Sequence, residues 1–561
     1  MTHGGEMQRT ASQELAADLI LYNGNVLTLD GGNRRFEAIA VRDGTILALG
    51  SSRDVLALAG AKSRLLDLAG RTALPGFIET HNHPLHFGAK LRTSIDANTP
   101  PNDSIDDILE RIAERVAETP KGQWIRADQY DDTLLREKRH PTRYDLDRVA
   151  PDHPVYLTHV SYHFCVANSV ALGLAGVTAG TPDPPGGRIF RDAAGEPTGV
   201  LAEHAAQALV SSHLPQLTIE DMISDLAVTS REYVKAGITS THDLGLGGLG
   251  SGGPQAIAAY GRAIERGVFA PRVYAFLAES VLPELGEGIV SPLATGIAGL
   301  GNDRFRLGGV KMWADGSIQG LTGSLSEPYH CAPHSYGLAI YGKDELVTRV
   351  AALREAGWHV ATHGNGDAAI EAILEAYIRC SAIDGDRYRI EHCQMARDDQ
   401  LDRMAEHGIH TSFFVKHVYY WGDRHRDIFI GPQRAARIDP LASAKRRGLR
   451  FGLHSDSPIT PIPPLEGMWS ATNRITRDGA VLGPDECVDT ETALRAYTSD
   501  AAYLSFEESC KGTLELGKFG DITVLSSDPL AIDPKYLKTI AVETTIVGGK
   551  VVYDRAPIAG S

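Results

Sequence analysis

Thr72-Ala-Leu-Pro-Gly-Phe-Ile78 leads directly into Glu79-Thr-His81-Asn-His83. A short apolar run that stops at ionisable residues is how a strand buried on both faces reads at the point where it leaves a parallel sheet. The pattern returns down the chain, in Gly237-Ile-Thr-Ser-Thr-His242, Arg306-Leu-Gly-Gly-Val-Lys-Met-Trp313, Trp358-His-Val-Ala-Thr-His363, Tyr388-Arg-Ile-Glu-His392, Ile409-His-Thr-Ser-Phe-Phe414 and Leu449-Arg-Phe-Gly-Leu-His-Ser-Asp456. Helical periodicity separates these runs, for example over Lys343 to Ala356 and Asp367 to Arg379. Such βα alternation predicts an α/β fold with a parallel sheet, and its length suits a (β/α)8 TIM barrel.

The two chain ends resemble each other. Asp18 to Leu29 alternates like a strand, and Ala38 to Leu49 reads as a hairpin turning at Asp43-Gly44. Asp521 to Leu525 and Thr544 to Tyr553 repeat the pattern, with a turn at Gly548-Gly549. The expectation is one composite β-sandwich domain formed from both ends, residues 18–74 and 505–561, flanking a barrel over 75–504. Residues 1–17 are polar, lack the apolar core of a secretory signal, and read as a disordered tail. Thr93 to Leu214 is rich in Pro and Gly and breaks the βα rhythm, so it reads as an insertion after the first strand that covers the barrel mouth.

Composition narrows the partners. The 561 residues carry a formal net charge of −16, which argues against nucleic acid or an anionic membrane as the main partner. No stretch of about 20 apolar residues is present, so no membrane-spanning helix is expected. Cys165, Cys331, Cys380, Cys393, Cys487 and Cys510 are scattered without a C-x-x-C pair, the pattern of a reduced, cytoplasmic protein. A small-molecule substrate is the remaining class of partner.

A barrel of this kind places its chemistry at the C-terminal ends of its strands. In His81-Asn82-His83 alternate residues of an extended segment point the same way, so both imidazoles can reach one metal ion. An H-x-H alone is common on surfaces and in cores. Here Lys311, His363, His392 and Asp456 stand at four further strand ends, and chance does not readily supply that set. Taken singly, Lys311 could equally pair with Asp315, and Asp456 could cap a helix.

The motifs Leu74-Pro-Gly-Phe-Ile-Glu-Thr-His-Asn-His-Pro84, Lys311-Met-Trp-Ala-Asp-Gly-Ser-Ile-Gln-Gly320, Thr362-His-Gly-Asn-Gly-Asp367, Arg389-Ile-Glu-His-Cys-Gln394 and His454-Ser-Asp-Ser-Pro458 resemble the amidohydrolase superfamily. They are most similar to its amidohydrolase-3 group, which includes N-substituted formamide deformylase and YtcJ-like proteins. The resemblance implies a binuclear centre, most simply two Zn2+. His81 and His83 would bind one ion with Asp456, His363 and His392 would bind the other, and a carboxylated Lys311 would bridge them. It further implies hydrolysis of a C–N bond by metal-activated water, with Asp456 as the proton acceptor, and it allows a homodimer. Hydrolysis of a cyclic amide, carbamate or other bond, a non-hydrolytic decarboxylase or isomerase, and a catalytically silent binding protein are the alternatives. The candidate substrate-binding residues are His242, Gln319, His163, Tyr130 and Trp421, while His86, His359 and His454 read as packing residues beside the ligands. Cys393, beside His392, reads as a buried bystander.

Overall fold

The structure is a computed structural model that describes residues 16–248, 252–285, 300–381 and 384–555. The tail expected over 1–17 falls outside these for residues 1–15, and Ala17 already begins a strand.

Eight parallel strands form the barrel: β1 Phe77–Asn82, β2 Ile238–Leu246, β3 Arg272–Ala278, β4 Phe305–Trp313, β5 His359–Gly364, β6 Arg389–His392, β7 His410–Phe413 and β8 Phe451–Leu453. Neighbours pair in chain order from β1 to β8. The ring is closed between β8 and β1 by other bonds. Thr80 Oγ1 donates to the Leu453 carbonyl (2.9 Å), the Asp456 amide donates to the His81 carbonyl (3.2 Å), and the His83 amide donates to the Ser457 carbonyl (2.9 Å). Helices Ile219–Lys235, Gly253–Glu265, Lys343–Glu355, Asp367–Arg379 and Asp398–Glu406 alternate with the strands. Their apolar faces and the strands build one large buried core.

The chain ends meet as the sequence suggests. One sheet runs in the order Thr45–Gly50, Ala38–Arg42, Ala17–Tyr22, Ala59–Asp67. A second runs Lys550–Asp554, Val542–Val547, Ile522–Leu525, Thr72–Pro75, Asn25–Leu27, Arg35–Phe36 and so interleaves both termini. Leu19, Leu21, Ile39 and Val41 of the first pack against Val26, Ile522, Val524 and Ile546 of the second. Both hairpin turns use left-handed residues, Asp43-Gly44 (φ 48°, 77°) and Gly548-Gly549 (φ 54°, 72°), as two-residue turns require.

Two details differ from the sequence reading. The run Thr72–Ile78 is not one strand: Thr72–Pro75 belongs to the terminal sheet, β1 begins at Phe77, and Gly76 lies between them. A Cβ on Gly76 would meet Thr239 Oγ1 at 2.1 Å, which explains the glycine at this crossing. Strand β3, Arg-Val-Tyr-Ala-Phe-Leu-Ala, was not anticipated, because it ends without an ionisable residue.

The insertion between β1 and β2 has a sheet of its own, ordered Arg188–Arg191, Pro197–Ala202, Phe164–Ala167, Val155–His159, Ile125–Tyr130, Ile95–Asp96. It has separate apolar clusters and is led by helix Ile105–Glu118, whose Ser104 and Asp107 form a capping box. The insertion is thus a compact α/β layer with its own core. No helix among the described residues is long and apolar enough to cross a membrane.

Candidate metal centre

The strand ends converge. His81 and His83 extend from β1 with ring centroids 5.5 Å apart; Asp456 Oδ1 lies 3.2 Å from His83 Nε2 and 3.6 Å from His81 Nε2. The His392 ring is 4.7 Å from that of His81 and 4.5 Å from that of His363. Two of these residues sit on left-handed backbone, His392 at φ 66° and Asp456 at φ 51°. Such conformations cost side-chain-bearing residues about 1–3 kcal/mol, and they concentrate where function holds them. Here the turn swings each side chain from the strand end toward the shared centre. The helix-cap alternative for Asp456 does not fit: its carboxylate faces the two imidazoles.

Lys311 is fully buried at the end of β4, and its Nζ has no hydrogen-bond partner. Burial pushes its pKa down to about 8 against the pull of Glu391 and Asp456. The pairing with Asp315 does not occur. The Asp315 carboxylate instead accepts the amides of Ser324 (2.8 Å), Asn365 (3.0 Å) and Gly366 (2.8 Å), which pins the turn after His363, and burial pushes its pKa up to about 7.

Burial, reinforced by neighbouring cationic groups, also holds His81, His363, His392 and His454 well below the usual imidazole range. Neutral imidazoles have lone pairs free for a metal ion. The Asp456 Oδ1 atom is itself buried without a hydrogen-bond partner. A cluster of neutral imidazoles around an orphaned carboxylate oxygen and an orphaned amine fits a divalent cation. Two groupings have ligand atoms mutually within 4.8 Å: His81, His83, Asp456 and His81, His392, His454.

His454 and Glu391 are the residues that the sequence reading missed. His454 was assigned to packing, yet its Nε2 is 3.1 Å from His392 Nδ1, while its Nδ1 meets Ser412 Oγ at 2.7 Å. Glu391, wholly buried, accepts from His81 Nδ1 at 2.6 Å. A signal for it was available: Arg389 and Glu391 alternate along β6, so both face the barrel interior, where a charge must have a partner.

The five candidate substrate residues separate. His163, carried by the insertion, comes within 5.4 Å of the His363 ring (centroid to centroid) and bonds Glu203 through Nδ1 at 2.8 Å. Gln319 is nearly buried, and its Oε1 lacks a partner. Tyr130 is not a pocket residue: it lies in the insertion's core with its hydroxyl 2.9 Å from His140 Nδ1. His242 is likewise enclosed, 3.1 Å from the Arg389 guanidinium inside the barrel, so the expectation that it touches substrate is corrected. Trp421 packs on Phe414 and His417 and lines a cavity of about 780 Å3, whose wall includes Gln129 and Pro458 but none of the converging histidines. Cys393 is buried, and its thiol is pushed up to about 12 by that burial, consistent with an inert bystander.

The model of the Amidohydrolase family matches residues 64–553. The chain is 33% identical to N-substituted formamide deformylase of Arthrobacter pascens over 96% of its own length and 98% of that protein. It is 29% identical to YtcJ of Bacillus subtilis over 96% and 99%. Among solved structures, an uncharacterised metal-dependent hydrolase from Pyrococcus furiosus superposes with a TM-score of 0.70 at 26% identity, covering 91% of this chain and 99% of that one. With the family model covering the whole barrel and the C-terminal strands of the terminal sheet, the chain belongs to the amidohydrolase family and is a metal-dependent hydrolase of carbon–nitrogen bonds other than peptide bonds.

Proposed function

We propose that this enzyme hydrolyses N-substituted formamides or similarly small N-acyl amines at a two-zinc centre. The observation that carries the two-metal reading is the buried, unpartnered Lys311 Nζ, whose charge acts on His81, His363 and His392 alike. An ammonium offers only donors. Addition of CO2 to the free amine, with loss of one proton, gives a carbamate with two anionic oxygens for two ions. His81, His83 and Asp456 would hold one ion, and His363 and His392 the other. Bound divalent metal would lower the pKa of water and polarise the substrate carbonyl. Asp456 takes the proton of the attacking water on Oδ1 and delivers it to the departing nitrogen, so that the C–N bond breaks to carboxylate and amine. His163, oriented by Glu203 and beside the His363 ring, and Gln319, whose buried Oε1 lacks a partner, would contact the substrate. The choice of substrate is supported by the resemblance to the Arthrobacter deformylase.

Metal analysis joined to a substrate screen tests the proposal. Two zinc ions per chain are expected, with amine and carboxylate released from N-substituted formamides. Turnover confined to cyclic amides or carbamates overturns the substrate assignment. Removal of metal with a chelator abolishes turnover, and Zn2+ restores it. Asp456→Asn lowers kcat by roughly 10²–10⁴-fold; a wild-type rate in that variant overturns the assigned proton acceptor.

A further inference from the structure

Arg389 and Glu391 stand two residues apart on β6, and both are completely buried. One Nη donates to Glu391 Oε2 at 3.0 Å and to the Thr80 carbonyl at 2.8 Å, while Nε lies 2.8 Å from Oε1 as an ion-pair contact without hydrogen-bond geometry. An arginine in a protein stays protonated, so its charge at hydrogen-bond distance opposes the burial that pushes the Glu391 carboxyl up and favours the carboxylate form. Glu391 Oε2 then faces His81 Nδ1 at 2.6 Å. Facing an anion that can only accept, the Nδ1 atom must carry the proton. The lone pair of His81 is thereby placed on Nε2, the atom turned toward Asp456 Oδ1 at 3.6 Å. Two lone pairs meeting at that separation are favourable only with a cation between them.

The opposite side of the centre is built differently. His363 Nε2 lies 3.1 Å from the Gly316 carbonyl and 3.1 Å from the Asn365 side-chain nitrogen, with Asp315 Oδ1 further off at 3.5 Å, which leaves Nδ1 as the atom free to face the centre. One imidazole is thus backed by a carboxylate at 2.6 Å, and the other by a peptide oxygen at 3.1 Å and a carboxylate at 3.5 Å that is engaged by three backbone amides. A carboxylate behind an imidazole strengthens it as a ligand more than a carbonyl does.

We infer that Arg389 and Glu391 are positioning residues that lock His81 into its ligating tautomer and make the His81 site the tighter of two unequal metal sites. The inference rests on the binuclear reading above. Its consequence is ordered loading: the ion at His81, His83 and Asp456 binds first and leaves last.

Titration of metal-free protein with Zn2+ against a chromophoric chelator tests this, and Co2+ provides an absorption spectrum for each site. Wild-type protein is expected to fill in two separated steps. Glu391→Gln keeps the shape but removes the charge, and should weaken the first step by about 10–100-fold while leaving the second unchanged. Arg389→Lys, which keeps the charge but loses the Nη that joins Glu391 to the Thr80 carbonyl, should fall between wild type and Glu391→Gln and serves if the first variant does not fold. In His81→Ala the first step disappears, and adding Glu391→Gln to it should change nothing further. Thermal unfolding of the metal-free variants separates lost affinity from lost fold. Unchanged affinity in Glu391→Gln, or equal weakening of both steps, overturns the inference while leaving the metal centre intact. A wild-type protein that takes up no Zn2+ overturns the binuclear reading itself.

Discussion

At the scale of single residues, the centre is a set of groups that would be costly without something to bind. The Lys311 amine and Asp456 Oδ1 are buried and unpartnered, a combination that destabilises a fold unless function requires it. Replacing Lys311 with Gln removes the amine that CO2 must attack. The expected outcome is a fall from two zinc ions to one per chain, and loss of the carbamate signal when the protein is equilibrated with 13C-bicarbonate and examined by NMR. Two tightly bound ions in that variant would exclude the bridging role. Lys311 was legible in the sequence because it closes a recognisable strand, and so were His81, His83, His363, His392 and Asp456. For Glu391 and Arg389 the alternation along β6 signalled only that both face inward; it did not tell which group they serve. Their meaning comes from His81, 310 positions away in the chain. His454 was missed for a related reason: only the fold shows that its Nε2 turns inward to His392.

At the scale of elements, the ligands depend on turns that tolerate little change. Between β5 and helix Asp367–Arg379 the chain passes through Asn365-Gly366, whose amides are both held by the Asp315 carboxylate. A Cβ on Gly366 would lie 1.9 Å from the Ser324 carbonyl oxygen, a backbone atom with little freedom to withdraw. Gly366→Ala must therefore displace the turn, at a cost of about 1–3 kcal/mol, and with it His363. A lower thermal midpoint should accompany weaker binding of the ion held by His363 and His392, with the other ion retained. Equal loss of both ions would show that the turn supports the whole barrel mouth instead. The strands themselves were largely readable from apolar runs with polar ends. Strand β3 escaped because its end is apolar and its neighbours, not its own sequence, mark it as a barrel member. The insertion was placed from its break in rhythm, but the sheet inside it escaped because its short strands pair in an order, from Arg188–Arg191 across to Ile95–Asp96, that no periodicity encodes.

At the scale of the whole molecule, the two faces of the barrel have separate tasks. Ligands gather at the C-terminal ends of the strands, while the terminal β-sheets press on the opposite end. There Thr523 Oγ1 donates to the Gly237 carbonyl ahead of β2 (2.7 Å), and Arg272, at the start of β3, reaches Asp521 at the start of the strand Ile522–Leu525. That pair is nearly excluded from solvent: Nε to Oδ2 is 2.7 Å, the guanidinium lies 3.7 Å from the Phe519 ring centroid, and Asp521 Oδ1 also accepts the Gly548 amide at 2.7 Å. Removing one member of a buried pair strands the other's charge, at a cost of about 3–5 kcal/mol. Arg272 retains Asp303, a half-exposed partner at 2.7 Å, which places Asp521→Ala toward the lower end of that range. Exchanging both residues for apolar ones of similar size should recover much of the loss, since no uncompensated charge then remains. In a barrel whose chemistry lies at the other face, the damage should be confined to stability. Asp521→Ala is expected to unfold at lower temperature or denaturant while binding zinc in the same two steps and turning over at the wild-type rate wherever it stays folded. A reduced rate in the fully folded variant would mean that the terminal sheets reach the metal centre through the strands, and that the two faces are coupled after all.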